Sequence, residues 1–381
     1  MKRPVAFYML LIMASIFLFF FLNLVLGSVS IPLRAVWNIL WGTGNESVIW
    51  QNIIWKSRVP QALTALVAGA GLSVSGLQMQ TVFRNPLAGP SVLGISSGAS
   101  MGVAFVVLLS GSLGGVALSK LGFMGEIALT IAAIAGSLSI MALIVFVSQK
   151  VRGNVTLLII GEVALSLAAV IGALSVMALI VYVSQKVKGN VTLLIIGVMI
   201  GYIANAVIGV LKFFSVEEDI RAYVIWGLGS FARVSGDQMT LFICIMVVLL
   251  PLSFLLVKTL NLLLLGDAYA RNLGLNIKRA RLLVITCSGV LVAIVTAYCG
   301  PIIFLGLAVP HLCRGMFRTS DHRILMPASL LAGASLALVC NLIARMPGFE
   351  GALPVNSVTA LVGAPVVMSV LFNRRRNEMN E

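Results

Sequence analysis

GDAYARNLGLNIKRAR, residues 266–281, and GPIIFLGLAVPHLCRGMFRTSDHRILMP, residues 300–327, are polar, basic and punctuated by glycine, inside a chain that is otherwise almost entirely apolar. Hydrophobic residues make up 60% of the 381 and charged residues only 10%, with a mean hydropathy of +1.09. A soluble domain does not expose so little charge, so the chain reads as a polytopic membrane protein. In such a protein a basic, glycine-rich patch belongs at a water-facing surface.

Working outward from that patch, apolar segments fall near 5–26, 59–82, 97–119, 126–149, 155–185, 191–214, 238–257, 279–299, 301–317, 326–346 and 354–372, eleven in all. Each approaches the roughly 20 residues a spanning helix needs. The first follows Met1-Lys2-Arg3, is too long for a signal-peptide core and has no small-x-small cleavage site, so it reads as a retained helix. No hydrophilic stretch is long enough for a separate soluble domain; residues 1–381 read as one transmembrane domain. Runs such as Ala68-Gly69-Ala70-Gly71 and Leu331-Ala332-Gly333-Ala334 let helices approach closely. Pro251, Pro310 and Pro365 are expected to kink or end helices.

Residues 125–160 recur at 161–196 with 27 of 36 positions identical, a tandem duplication of one helix and its following loop. It creates a parity problem. Basic residues gather on the cytoplasmic side, which places Met1-Lys2-Arg3 and Arg374 to Arg376 inside and requires an even number of spans. Lys150 and Arg152, and Lys186 and Lys188, also read as inside. The segment 154–185 between them is then expected to form a hairpin, re-enter, or lie beside the bundle, with Glu162 expensive at mid-depth. Ten core spans plus one non-standard segment satisfy the pattern, with both termini cytoplasmic. Arg34, Lys56, Arg58, Lys120, Lys212, Arg221, Arg233 and Arg345 then fall outside, and the rest of the 26 basic residues inside.

The net charge of +14 is accounted for by these loops and does not call for nucleic acid. Cys244, Cys287, Cys299, Cys313 and Cys340 form no CxxC pair and read as small hydrophobes. His311 and His322 are the only histidines, too few for a zinc or haem site, and read as structural residues at helix ends. The sequence has no GxxxxGK[ST] phosphate loop, no HExxH and no pair of intramembrane carboxylates. Nothing calls for a cofactor, an enzyme activity has little to stand on, and any energy source must be a partner.

Five stretches, RVPQALTALVAGAGLSVSGLQMQTVFRNPLAGPSVLGISSGA (58–99), GDAYARNLGL (266–275), GPIIFLGLAVPHLCR (300–314), DHRILMPASLLAGA (321–334) and LPVNSVTALVGAPVV (353–367), closely resemble the FecCD family. These are permeases of bacterial ABC importers for ferric siderophores, haem and cobalamin. The similarity runs over nearly the whole chain. It implies an all-α, ten-helix type II ABC importer permease in the bacterial cytoplasmic membrane, here carrying one duplicated helical segment. It also implies a homodimer, two cytoplasmic ATP-binding subunits, an external substrate-binding protein and contact with membrane lipid.

By that resemblance, the loop at about 262–278 is the coupling helix that docks on the ATPase. Gly266, Asp267, Arg271, Leu273 and Gly274 are its candidate residues, with Asp267 capping the helix and Gly274 ending it. Arg58 and Arg345 match arginines that receive acidic residues of the binding protein, and Gln61 stands where relatives often have a further arginine. Asn85, Pro86 and Leu87 resemble one part of the exit gate, and Asn190 and Val191 another. Asn154 and Val155 are the same positions in the first copy, and the sequence leaves open which copy lines the pore. A ferric siderophore is the expected substrate, with haem and cobalamin as alternatives. An ion-coupled secondary transporter would need broken helices or ion ligands near mid-membrane, and a transport-inactive paralogue is the reading the duplication suggests.

Overall fold

A computed structural model describes residues 5–43, 46–89, 94–110, 154–186, 190–234, 236–346 and 353–378. Among these the regular structure is helical, with no strand. The chain divides into two compact units, Met1–Pro90 with Leu228–Glu381, and Ser91–Gly227.

The first unit is built around one helix. The helix α1 (Val5–Val25) leads through the shorter α2 (Leu33–Trp41) and α3 (Val48–Ile53) into a π-helical turn, Ile54–Arg58, and then α4 (Val59–Phe83). Every residue of α4 from Ala68 to Phe83 is buried. The contrast with α1 decides their places: 83% of the apolar window ending in α4 is buried, against 6% for α1, whose Phe7, Leu10 and Phe17 face outward.

The second unit holds α5 (Ile95–Ser110), α6 (Asn154–Lys186), α7 (Asn190–Phe214) and α8 (Glu217–Gly227). The first unit resumes with a 3₁₀ turn at Phe231–Arg233, then α9 (Gly236–Phe254), α10 (Val257–Leu264), α11 (Asp267–Asn272), α12 (Ile277–Cys299), α13 (Phe304–Phe317), α14 (His322–Ala344) and α15 (Val355–Glu378).

Small residues set the spacing around α4, as the sequence suggested. A Cβ on Gly69 would stand 2.3 Å from the Gly333 carbonyl oxygen of α14, and one on Gly76 would stand 1.8 Å from that of Gly306 in α13. Ser75 and Ser288 lock α4 to α12 reciprocally: each hydroxyl donates to the other's carbonyl at 3.1 Å. On the far side of α14, Asn23 of α1 donates to the Leu338 carbonyl (3.0 Å) and accepts from Asn341 (2.8 Å). Polar side chains buried between helices need such partners, because lipid offers none.

Six helices among the described residues are long and apolar enough to cross a membrane, and α9 with α10 makes a seventh, bent by 45°. Pro251 lies in the last turns of α9, where it removes a backbone donor. The chain turns through Leu255 N–H to Leu252 O and Leu256 N–H to Ser253 O, both 3.2 Å, before α10 begins. Pro310 and Pro365, by contrast, sit inside α13 and α15 without ending them. Shorter apolar helices at Ile95–Phe105, Phe304–Phe317 and Val355–Ser369 accompany the seven. The eleventh expected segment, 126–149, lies outside the described residues, as do Lys150, Arg152 and Lys188.

In the second unit the copy seated on α5 is the second one. Gly98 and Gly102 of α5 meet Ala168 and Gly172 of α6 so closely that a Cβ on Gly102 would stand 2.1 Å from the Ala168 oxygen. The helix α6 is unbroken over 33 residues, so the hairpin or re-entrant form expected for 154–185 is not adopted. A helix of that length is about 50 Å long. It places Glu162 in its third turn rather than at its middle, which removes the objection to a single helix there.

Candidate functional site

The helix α4 gathers the predicted residues at its two ends, about 37 Å apart at 1.5 Å per residue. Arg58 stands at the start with Arg345, the C-terminal cap of the antiparallel α14. Arg84 stands at the end with Asp267, His311 and His322.

Arg58 is 1% exposed. Its Nη1 donates to the carbonyls of Leu24 (2.6 Å) and Val25 (2.7 Å), and its Nη2 to that of Val29. The first two are carbonyls that the end of α1 leaves without helical partners, and the third belongs to the loop after it, so Arg58 ties α1 and its following loop to α4 and offers no open surface. Arg345 is the more open of the pair. A Cβ on Gly27 would stand 3.1 Å from Arg345 Nη2 and 3.2 Å from Arg58 Nη2, so the two guanidinium groups close over that glycine. Burial, and secondarily the charge of Arg58, push Arg345 down to about 10. Arg345 lines a cavity of about 350 Å³ with Ser28, Ser57, Gln61, Ser230 and Asn341, and no acid is among the described residues that line it. Arg345 Nη1 and Gln61 Oε1 have no hydrogen-bond partner there. A cation with an unused donor in such a cavity can receive an anionic group.

Replacing Arg58 by Gln should strand up to three carbonyls, two at the end of α1 and one in the loop after it, and lower stability by about 3 kcal/mol. Thermal unfolding of the detergent-solubilised chain reads this; Arg345→Gln, which leaves those carbonyls satisfied, should shift it far less.

At the other end, Gly266 precedes α11 at φ +105°, a conformation that only glycine adopts freely. Asp267 was expected to cap this helix. It does not: Gly266 is the N-cap with no side-chain bond, and both Asp267 oxygens are taken by arginines. Arg84 Nη2 donates to Oδ1 at 2.8 Å and Arg281 Nη2 to Oδ2 at 2.6 Å. Gly274 does end the helix, at φ +85°, with Gly274 N–H bonded to Arg271 O (2.9 Å) and Leu275 N–H to Ala270 O (3.0 Å). These are the paired bonds of a Schellman stop. Arg271 and Leu273 are exposed beside Tyr269, itself 62% exposed and absent from the sequence reading.

The loop after α4 is held on both flanks. Asn85 Oδ1 accepts from Leu87 N–H (2.9 Å), and His311 Nε2 donates to the Pro86 carbonyl (2.8 Å). Gln80 donates to the Leu307 carbonyl (3.2 Å) and accepts from Arg314, so α13 is bonded to this end of α4 on two turns. His322 Nδ1 donates to Asn261 Oδ1 (2.8 Å) while Nε2 lies 2.7 Å from Thr81 Oγ1, bridging α10, α14 and α4. Hydrogen bonds from the Arg323 backbone and from Asn261 hold the Asp321 carboxyl below the usual range. Both histidines thus have protein partners, and no cluster of metal-binding residues occurs among the described residues.

Asn190 and Val191 open α7 in the second unit, and Asn154 and Val155 open α6. The side chains at these positions lie outside the described ones. The sequence also contains two overlapping Gly-x-Ser-x-Gly runs, residues 94–98 and 98–102. A nucleophile elbow places its serine on a strand-to-helix turn; here both serines lie within α5, where the space at Gly98 and Gly102 is filled by α6.

An all-helical bundle with apolar outer faces and tightly tied polar ends is a multi-pass membrane protein. It belongs to the FecCD transport family, whose model matches residues 15–167 and again 153–373. The two matches overlap within the duplication, as a family pattern interrupted by one repeated unit would. The chain is 31% identical over 92% of its length to the hemin transport system permease protein HmuU of Yersinia pestis, covering 90% of that protein. It is 34% identical over 85% to the vitamin B12 import system permease protein BtuC of Klebsiella pneumoniae, covering 84% of it. A solved structure, described as the inward-facing conformation of an ABC transporter assigned to the metal-chelate type, superposes with a TM-score of 0.74. That structure is 25% identical and covers 96% of this chain, which covers 98% of it. The named relatives are permeases rather than enzymes.

Proposed function

We propose that this chain is the membrane-spanning permease subunit of a bacterial ABC importer for a metal chelate, acting as one permease domain over residues 1–381. The observation that carries the reading is the likeness, over nearly the full length, to permeases named for hemin and vitamin B12 import. A ferric siderophore is the third candidate, and the relatives favour haem and cobalamin at least as strongly. The partners in this reading are a second copy of the chain, two ATP-binding subunits, an external binding protein and membrane lipid.

The charge distribution supports a cytoplasmic Arg84 end. Arg84, Lys258, Arg271, Lys278, Arg279, Arg281, Arg314, Arg318 and Arg323 gather there, against Arg34, Lys56, Arg58, Arg233 and Arg345 at the other end. Basic loops stay inside. In this orientation α11 offers Tyr269, Arg271 and Leu273 to the ATPase, with Gly266, Asp267 and Gly274 shaping the helix. The cavity beside Arg345 offers a cation to an acidic side chain of the binding protein. The loop Asn85–Leu87 is one candidate for the inner exit gate, and Asn190 and Val191 are another. Alternating access then follows from movement of α11 on ATP binding and hydrolysis.

The test is ATP-dependent uptake into proteoliposomes of haem, cobalamin and a ferric hydroxamate siderophore, by the chain reconstituted with its ATPase and binding protein. Each form, full length and lacking residues 125–160, is assayed. Uptake of one chelate, saturating with binding protein, is the expected result. The shortened chain should retain it, because the face of α6 seated on α5 belongs to the second copy. Uptake without ATP would sink the reading in favour of a secondary transporter.

A further inference from the structure

Asp267 sits between two arginines that come from very different places in the chain. Arg281 is 14 residues away, on the helix that follows α11 directly, so the pair Asp267–Arg281 closes a short local loop. Arg84 is 183 residues away, at the C-terminal cap of α4. Its Nη2 reaches two neighbouring elements together: the Asp267 carboxylate at 2.8 Å and the Leu263 carbonyl in the last turn of α10 at 3.0 Å. Arg84 holds φ +46°, a left-handed conformation that L-residues occupy at a cost and that glycine would relieve. An arginine kept there points to a use for its side chain.

The next three residues are Asn85, Pro86 and Leu87. This loop is bonded to α13 through His311, and the last turn of α4 is bonded to α13 through Gln80 and Arg314. The α4 end, the loop and α13 are therefore one tied block. The helix α11 packs on α10 and α12, and Arg84 bonds it directly to that block.

We propose that Arg84 is the positioning residue that carries a displacement of α11 into the loop Asn85–Leu87, with Asp267 as its anchor, whereas Arg281 serves to seat α11 on α12. This rests on the proposed role of α11 as the ATPase contact. The argument is one of connectivity. A displaced α11 draws α12 with it through four intervening residues whether or not Arg281 is present. It draws the α4 end through a bidirectional ionic tie that ends one residue before the loop. Charge-assisted bonds of this kind resist stretching more than neutral ones, and a tie that also grips the Leu263 carbonyl keeps α10 and α11 in step.

The experiment uses the full reconstituted complex and reads three quantities: ATPase subunit bound, ATP hydrolysed, and chelate taken up per ATP. The chelate is whichever of haem, cobalamin or the ferric siderophore the unaltered complex transports. Arg84→Gln is expected to bind the ATPase and support hydrolysis while uptake per ATP falls at least tenfold. Arg281→Gln is expected to weaken ATPase binding while uptake per ATP stays within twofold. Arg84→Lys, which keeps the charge but not the fork, should recover at least a third of the lost coupling.

Asp267→Asn removes the tie from its other end and leaves Arg84 its bond to Leu263, so it tests the same link if Arg84→Gln assembles poorly. It should also uncouple. An unchanged ratio in both Arg84→Gln and Asp267→Asn overturns the proposal. So does equal uncoupling by Arg281→Gln, or a fall in hydrolysis that matches the fall in uptake. An unaltered chain that binds no ATPase at all overturns the functional reading itself, a result distinguishable from these because it appears before any substitution is made.

Discussion

Gly76→Ala should prevent the chain from reaching its folded form. The added Cβ would stand 1.8 Å from the Gly306 oxygen, 2.5 Å from its carbonyl carbon and 2.7 Å from its Cα. All three are backbone atoms in the first turn of α13, so no side chain can swing aside. The helices α4 and α13 would have to separate, and with them the bonds from Gln80 to Leu307 and from His311 to Pro86. Overpacking that rotamer changes relieve costs about 1–3 kcal/mol; here backbone must move, so about 3 kcal/mol or more is expected. Gly71→Ala is the control within the same helix. Its Cβ would meet the Met246 Sδ–Cε end at 2.4 Å to the methyl carbon, and a methionine tip repacks readily. That variant should lose under about 1 kcal/mol. Thermal unfolding and monodispersity in detergent measure both, and equal behaviour of the two variants would refute the close-approach argument.

Arg345→Glu should weaken docking of the binding protein by roughly thirtyfold or more while leaving the chain folded. The cavity beside Arg345 is lined by serines, Gln61 and Asn341, with no acid among the described residues, and Arg345 Nη1 has no partner among them. Reversing the charge puts repulsion where an acidic side chain would enter. Loss of a buried charge pair weakens association by about 2–5 kcal/mol, so affinity should fall by roughly thirtyfold or more. Stability should move the other way or not at all. Arg345 is depressed to about 10 by burial and by Arg58, and an acid at that position would face Arg58 as a partner. Raising the pH through 10 should likewise weaken docking, because the receptor cation is then lost. A variant that docks normally would leave the cavity beside Arg345 without this role. One that unfolds would show Arg345 to be as structural as Arg58.

Those two outcomes separate residues that the sequence placed together. Arg58 and Arg345 both match family arginines, yet one is spent on the α1 carbonyls and the other lines a cavity. Nothing local to Arg-Val-Pro or Ala-Arg-Met-Pro distinguishes them; the difference comes from α1, whose end lies over Arg58. Asp267 is a similar case. A first-turn Asp after Gly reads as a cap by position, but two arginines outcompete the backbone N–H groups for its oxygens. One signal was available: between Asp219 and Glu350 the only acids are Asp237, Asp267 and Asp321, in a stretch rich in arginine and lysine. A lone carboxylate in basic surroundings is more often paired than capping.

The bundle itself was legible because apolar run length and small-residue content are local properties. Ala68-Gly69-Ala70-Gly71 and Leu331-Ala332-Gly333-Ala334 were both read as close-packing faces, and Gly69 meets Gly333. The membrane class, the position of most helices, the glycine stop of α11 and the family all follow from the order of residues alone. The form of residues 154–186 did not, because a hairpin and a long helix share one composition, and packing on Gly98 and Gly102 decides between them. The partners of Arg58, Arg84 and Asp267 did not either. Each is fixed by a group from tens to nearly two hundred residues away, and pairing at that range is set by which helices the folded bundle brings side by side.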